Sequence, residues 1–235
     1  MRKLVSFTLY GDNPKYVTGM YKNLDLREKL YPDWETIIYH DNSLGESVLE
    51  DLSSRSTMVN VDGCGILASM WRFFAHDEVE TEAFIVRDSD SRIMQREVDA
   101  VNEWMESDAI LHIMRDHPHH GYAINGGMWG MKPDNSVSMR DLCLQYQNGK
   151  RDEATNRDSW WMVDMHFLRD VIYPLANESN SKIHVGMDFM DSVTWQNEHW
   201  AKDFLSPRNE DRNFIGEVFD FVDGEERRGY QYNEL

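Results

Sequence analysis

Short apolar runs and amphipathic stretches alternate along the first half of the chain. Residues 4–9, 36–40, 57–61 and 83–86 are rich in aliphatic, β-branched and aromatic side chains, and each run gives way to polar or turn-forming residues. That pattern predicts buried strands. Val17, Met20, Tyr21 and Leu24 recur at helical spacing behind Asn13, a capping residue, and Pro14, which suits a first helical turn. A short helix is expected at residues 47–52, and Leu67, Met70, Trp71 and Phe74 mark an amphipathic helix over residues 66–74. Strand and helix in alternation predict an α/β fold, a Rossmann-like domain with a mainly parallel central sheet flanked by helices. Ligands bind such sheets beyond the carboxyl ends of the strands. One rim is therefore expected to gather Tyr10, Asp12, Asp41, Asp88 and Asp90.

The second half is less regular. Residues 97–105 read as a helix, 109–114 as a strand and 115–121 as an irregular polar segment. Asn125-Gly126-Gly127 then allows close approach of a ligand to the backbone before an extended run at 128–131. Residues 137–147 and 160–173 are expected helices, the latter ended by Pro174; residues 183–185 fall in a strand, and 214–219 read as a late strand. No internal repeat or low-complexity linker divides the chain, and 235 residues suit a single domain.

Asp88-Ser89-Asp90 follows the apolar run at 83–86 directly. Side chains alternate along an extended backbone, so the two carboxylates project to the same side. Converging like charges are costly unless a cation lies between them, and hard oxygen ligands suit Mg²⁺ or Mn²⁺ rather than Zn²⁺. Flanking Arg87 and Arg92 add the positive charge that phosphate oxygens attract. The same tripeptide is also ordinary turn chemistry, in which carboxylates bond nearby backbone N–H groups. On these residues alone both readings stand.

Composition narrows the partners. A net charge of −18 argues against nucleic acid and disfavours an anionic membrane surface. An anionic substrate would need local compensation from a divalent cation and a few arginines. Cys64 and Cys143 form no CxxC pair and read as reduced thiols. His117, His119 and His120 crowd one Pro-containing turn without zinc spacing, so they read as a polar loop lining a ligand site. The N-terminus turns polar by Tyr10, too soon for a signal peptide, and nothing approaches a membrane span; a soluble, cytoplasmic protein is expected.

Residues 4–9, 69–73, 84–90, 123–130 and 163–168 follow one another as they do in nucleotide-sugar glycosyltransferases of the GT-A fold, and the chain resembles that family over most of its length. It is most similar to the small stand-alone transferases of large DNA viruses and microbial surface-glycan clusters, which implies a virus-infected or microbial cell. More distantly it resembles glycosyltransferase family 8. The resemblance implies one domain over residues 1–235: a nucleotide-binding half, 1–95, ending in the Asp-X-Asp motif, and a donor-sugar and acceptor half, 96–235. It implies a hexosyltransferase-type enzyme that moves a sugar from a nucleoside diphosphate, UDP expected, to a glycan or glycoside hydroxyl. Mn²⁺ or Mg²⁺ would be held by Asp88 and Asp90, with His184 as a third candidate ligand. Thr8, Tyr10, Asp41, Arg72, Arg87, Asp88, Ser89, Gly126 and Gly127 are the implied donor-binding residues. His117, Trp129 and Trp160 are expected on the acceptor side. An inverting course needs a carboxylate base, for which Asp164 is the first choice and Asp116 the second. Two departures stand out: Met165 replaces the amide that usually follows the aspartate, and the motif around His184 is not preserved.

Two rival readings remain. Strand-end carboxylates also serve metal-dependent phosphoryl or nucleotidyl transfer, which would more naturally show a second acidic cluster. A non-catalytic nucleotide-sugar-binding module would keep the fold without the reaction.

Overall fold

The structure, a computed structural model, describes residues 1–134, 136–150, 162–186, 195 and 198–229. Among these, β1 (Arg2–Leu9), β2 (Glu35–His40), β3 (Thr57–Asn60), β4 (Thr81–Val86), β5 (Leu111–Arg115), β6 (Trp129–Met131) and β7 (Ser181–Val185) form one sheet, in the order β3-β2-β1-β4-β6-β5-β7. Strand β1 runs parallel to β2 and β4, β2 to β3, and β5 to β7, whereas β6 is antiparallel to both its neighbours. The mainly parallel sheet expected from the alternation is present, with β6 as its exception.

Both faces of the sheet are covered, which is why the strands read as continuous apolar runs instead of alternating ones. On one face Val5, Phe7, Leu9, Ile38 and Ile85 pack with Met20, Leu24 and Trp104 from α1 (Pro14–Leu30) and α3 (Gln95–Met105). On the other, Leu4, Ile37, Phe84 and Trp129 pack with Met70, Phe73, Phe74 and Phe167. Helices α2 (Glu46–Ser53), α4 (Met139–Lys150) and α5 (Val163–Phe167) complete the layers. Asn13 caps α1 by accepting from the Lys15 amide at 3.0 Å. No helix among the described residues is long and apolar enough to cross a membrane.

Three expectations need correction. The helix expected at 66–74 is a 3₁₀ helix, Ala68–Asp77, in which every residue from Met70 to His76 is buried. A segment buried all round has no single apolar stripe to favour α geometry, and its aromatic residues are poor α formers. Residues 214–219 are not a strand: the Glu217 amide closes a turn onto the Phe214 carbonyl at 3.1 Å, Gly216 has φ +79°, and pairing starts only at Phe219, in the separate hairpin of β8 (Phe219–Val222) and β9 (Glu225–Arg228). The helix expected at 160–173 begins outside the described residues. Its described part is α5, a wide π turn at Leu168–Ile172 and a 3₁₀ turn at Tyr173–Leu175 that accommodates Pro174 in its first positions.

Candidate active site

Parallel β1 and β4 end side by side, and β1 also fixes what lies opposite. Ser6 Oγ donates to the Arg72 carbonyl at 2.6 Å, and the Arg72 amide donates to Thr8 Oγ1 at 3.0 Å. These bonds orient the 3₁₀ helix so that the Arg72 guanidinium reaches two carboxylates, Asp88 and Asp164, the latter at 3.3 Å. The three side chains line a cavity of about 940 Å³ together with Thr8, Tyr10, Ser89, Asp90 and Gly126.

The loop that presents the acidic motif is braced from α1. Buried Asn23 donates to the Ser89 and Ser91 carbonyls at 3.2 and 2.9 Å and accepts from the Ile93 amide at 3.1 Å. The turn is closed by Ser91, whose amide and hydroxyl both donate to the Asp88 carbonyl. Both motif carboxylates pair with cationic side chains: Asp88 with Arg72, and Asp90 with the Lys15 ammonium at 3.1 Å, which also meets Asp220 at 2.9 Å. Turn chemistry and a charged site thus coexist in one tripeptide, the turn using Asp88's carbonyl and the site its side chain.

Burial shapes the electrostatics. It pushes the Asp90 carboxyl above the usual carboxylate range, helped by neighbouring Asp88 and opposed by Lys15. Burial also raises Asp164, against the pull of Arg72 and of the Met165 amide. Burial works against the Arg72 charge, but Asp88 and Asp164 outweigh it and hold the guanidinium above its ordinary value.

The two glycines make room for charged side chains at the cavity. A Cβ on Gly126 would lie 2.5 Å from an Arg72 guanidinium nitrogen and 2.9 Å from an Asp164 oxygen; one on Gly127 would overlap the Asp88 carboxylate and lie 2.9 Å from the Asp88 amide nitrogen. Gly126 lines the cavity, while Gly127 lies against Asp88. They permit close approach of the protein's own charged residues, Arg72 and Asp164 at Gly126 and Asp88 at Gly127.

Several expected residues stand elsewhere. Arg87 is buried in an ion pair with Glu97 at 2.8 Å and also donates to the Val86 carbonyl, so it is a core residue and not a phosphate ligand. Asp116 is fully buried and accepts from Arg96 at 3.1 and 3.0 Å, Arg208 at 2.7 Å and the Ile215 amide at 3.1 Å, away from the cavity wall. It has no access to an acceptor. His184 shares hydrogen bonds with His112 at 3.0 Å and Glu103 at 3.1 Å, which engage both ring nitrogens, and it does not line the cavity. Trp129 is fully buried between Phe73 and Phe84, and His117 is buried against Phe214 at 4.1 Å between ring centroids. His119 and His120 do line the cavity. Asp41 accepts from the Ser43 amide at 2.9 Å, and Ser43 Oγ accepts from the Gly11 amide at 2.6 Å, so Asp41 braces the turn after β1 outside the cavity. Trp160 lies outside the described residues.

Lys15, Tyr16, Tyr122, Met128, Met162 and Met165 were missed. Tyr16 and the rest of this set except Lys15 are on the wall, and Lys15 meets Asp90. Their position at the start of α1, directly after β1, was a usable signal for Lys15 and Tyr16. Met165 is marked in the sequence as a departure next to Asp164 without being placed on the wall, and nothing comparable marks Met128 or Met162.

Among the described residues no three His, Cys, Asp or Glu side chains are grouped to hold a metal ion. A two-carboxylate set still fits Mg²⁺ or Mn²⁺, because such ions bind through one or two carboxylates and take their remaining oxygens from substrate phosphates and water. The charge balance agrees. Among the described residues, the ion pairs of Asp88, Asp90, Asp164 and Asp220 are with Arg72 and Lys15, four carboxylates to two cations.

No family model and no curated protein matches the chain. Solved structures do. The backbone is similar to that of the galactosyltransferase LgtC, solved with donor and acceptor sugar analogs, at 11% identity and a TM-score of 0.52, covering 87% of each chain. It is also similar to a glycosyltransferase involved in glycosylation of the major capsid of PBCV-1, at 11% identity and a TM-score of 0.49, covering 82% of this chain and 89% of that one. A third, the mannosyltransferase PcManGT from Pyrobaculum calidifontis in complex with GDP-Man and Mn²⁺, is 11% identical with a TM-score of 0.44, covering 74% and 71%. The chain has the GT-A fold.

Proposed function

We propose that the cavity is the donor site of a metal-dependent glycosyltransferase, which moves a hexose from a UDP-sugar to a glycan hydroxyl with Mn²⁺ or Mg²⁺ as cofactor. The observation that carries this reading is the convergence of Arg72, Asp88, Asp90 and Asp164 on one cavity at the ends of β1 and β4. A fold alone does not fix a reaction; this set of charged groups, in a space large enough for a nucleotide sugar, is what supports it.

Asp88 and Asp90 are the residues that would hold the ion, and when bound it acts as a Lewis acid on the departing diphosphate. Thr8 and exposed Tyr10 flank the nucleoside end, with the Tyr10 ring edge-on to Trp71 at 6.0 Å. Arg72 keeps Asp88 and Asp164 in fixed relation, since one planar guanidinium bonds both. On an inverting course the Asp164 carboxylate accepts the acceptor hydroxyl's proton as the sugar transfers. Its raised pKa makes it a better base than an exposed aspartate once ionised. Tyr122, His119, Met162 and Met165 shape the rest of the wall for the acceptor.

The test is calorimetric UDP binding with Mn²⁺ and with EDTA, followed by nucleoside diphosphate release from a panel of sugar donors. Asp88→Asn and Asp90→Asn are each expected to abolish metal-dependent binding. UDP binding that ignores EDTA and both substitutions would overturn the reading, and release of phosphate or pyrophosphate in place of UDP would assign phosphoryl or nucleotidyl transfer.

A further inference from the structure

The Lys15 ammonium touches the acidic motif from the first turn of α1. It lies 3.1 Å from Asp90 and 2.9 Å from Asp220. Asp90 is the more buried of these partners, with 14% of its side chain exposed against 47% for Asp220. The Asp220 end is anchored independently: the Phe219 amide donates to the Asp90 carbonyl at 2.8 Å, Arg92 stacks on Phe219 at 4.9 Å, and Lys22 and Arg92 both pair with Glu226 of β9. Lys15 therefore has one partner on the acidic motif and a second on a hairpin tied down by other contacts.

We propose that Lys15 is a built-in competitor for the divalent cation: its ammonium holds Asp90 until the ion takes that carboxylate, then turns on Asp220 to meet the donor diphosphate. A single ammonium between two carboxylates leaves one negative charge uncompensated, so a doubly charged ion is the stronger partner for Asp90. A lysine suits the exchange because its ammonium is a compact point charge on a flexible stem with three rotatable donors. Arg72 does not suit it, being buried and bonded to Asp88 and Asp164 together. Tyr16, next in sequence and on the cavity wall, has its ring 5.5 Å from the ammonium, which keeps Lys15 at the edge of the donor space. The second half of the proposal rests on the donor-site reading above; the competition for Asp90 does not.

The experiment measures Mn²⁺ affinity of the full chain without nucleotide, then UDP affinity at saturating Mn²⁺, for wild type, Lys15→Met and Lys15→Arg. Lys15→Met is expected to bind Mn²⁺ about fivefold more tightly, the scale of one lost ion pair of this exposure. It is expected to bind UDP about tenfold more weakly, the scale of one lost charge-assisted bond to phosphate. Lys15→Arg keeps the charge but not the compact ammonium, and should shift both affinities less than Lys15→Met does. A damaged fold would weaken Mn²⁺ binding, so the gain is a readout that a merely structural lysine would not produce. Unchanged or weaker Mn²⁺ binding in Lys15→Met overturns the competition, and unchanged UDP binding overturns the contact with diphosphate. A wild-type chain that binds Mn²⁺ but no UDP would sink the donor-site reading, and with it the diphosphate contact, while the Mn²⁺ comparison still decides the competition.

Discussion

Gly127→Ala tests whether the glycine pair exists to let Asp88 and Arg72 approach the backbone. Neither Gly126 nor Gly127 has a positive φ, so alanine meets no backbone penalty at either position and the whole effect is steric. The obstacles differ in kind. At Gly126 a Cβ meets the far ends of two side chains, Arg72 at 2.5 Å and Asp164 at 2.9 Å, which can retreat by a few tenths of an ångström. At Gly127 it meets the Asp88 carboxylate and, at 2.9 Å, the Asp88 backbone nitrogen, which β4 and the Asn23 contacts hold in place. Overpacking costs about 1–3 kcal/mol, so Gly126→Ala belongs at the low end, about 1 kcal/mol, and Gly127→Ala at the high end, about 3 kcal/mol. At about 2–4 °C per kcal/mol for a chain of this size, the melting temperature should fall by about 2–4 °C for the first and about 6–12 °C for the second. Gly149→Ala in α4 is the control: a Cβ there meets nothing within 4 Å, and the change should stabilise by up to about 1 kcal/mol. The assays are thermal unfolding and Mn²⁺-dependent UDP binding, which Gly127→Ala should weaken at least about tenfold because ligand sites tolerate only about 0.5 Å of displacement. A Gly127→Ala protein that melts and binds like wild type would refute the packing argument.

Two further substitutions separate the site from its support. Arg87→Met should cost about 3–5 kcal/mol in urea unfolding, since it strands buried Glu97 without its partner, and most of that loss should return in Arg87→Met/Glu97→Leu; if Arg87→Met instead weakens UDP binding without loss of stability, the core assignment is wrong. Asp164→Asn should lower kcat about a hundredfold or more with little change in donor KM. In wild type the acid limb of kcat/KM should lie above the ordinary carboxylate range: the raised Asp164 carboxyl stays protonated at low pH, and activity rises as pH climbs through its shifted value. An acid limb below that range would remove Asp164 as the base.

Much of the fold was legible because its signals are local. The runs behind β1, β2 and β4 are apolar on both faces, and Asn13-Pro14 fixes where α1 starts. The segment at 66–74 defeated the periodicity because complete burial erases the stripe from which helix type is read. Asp88, Asp90, Arg72 and Asp164, singled out in the sequence, line one cavity, but Arg87 and Asp116 look equally chemical in sequence. What separates them is the partner: Glu97 and Arg96 come from α3, and no spacing rule tells a charged residue that finds a buried counter-ion from one that faces a cavity. Lys15 was overlooked for the converse reason, since its partners Asp90 and Asp220 are distant in sequence.

The distribution of arginines bears directly on how an acidic chain could take an anionic donor. With a net charge of −18, the protein commits Arg87, Arg96 and Arg115 to the buried acids Glu97, Asp116 and Glu198. Arg72 and Lys15 serve the acidic motif, where four carboxylates engage them. A diphosphate approaching two uncompensated carboxylates would meet repulsion on the order of 4 kcal/mol per pair of charges at about 4 Å, for an effective dielectric near 20. That is about a thousandfold in affinity for each such pair. Screening by salt relieves little of it within a cavity; on the proposed reading, a divalent ion held by Asp88 and Asp90 would supply the two missing positive charges. The charge distribution among the described residues is thus an argument for the proposed metal-dependent donor binding that is separate from the likeness in fold.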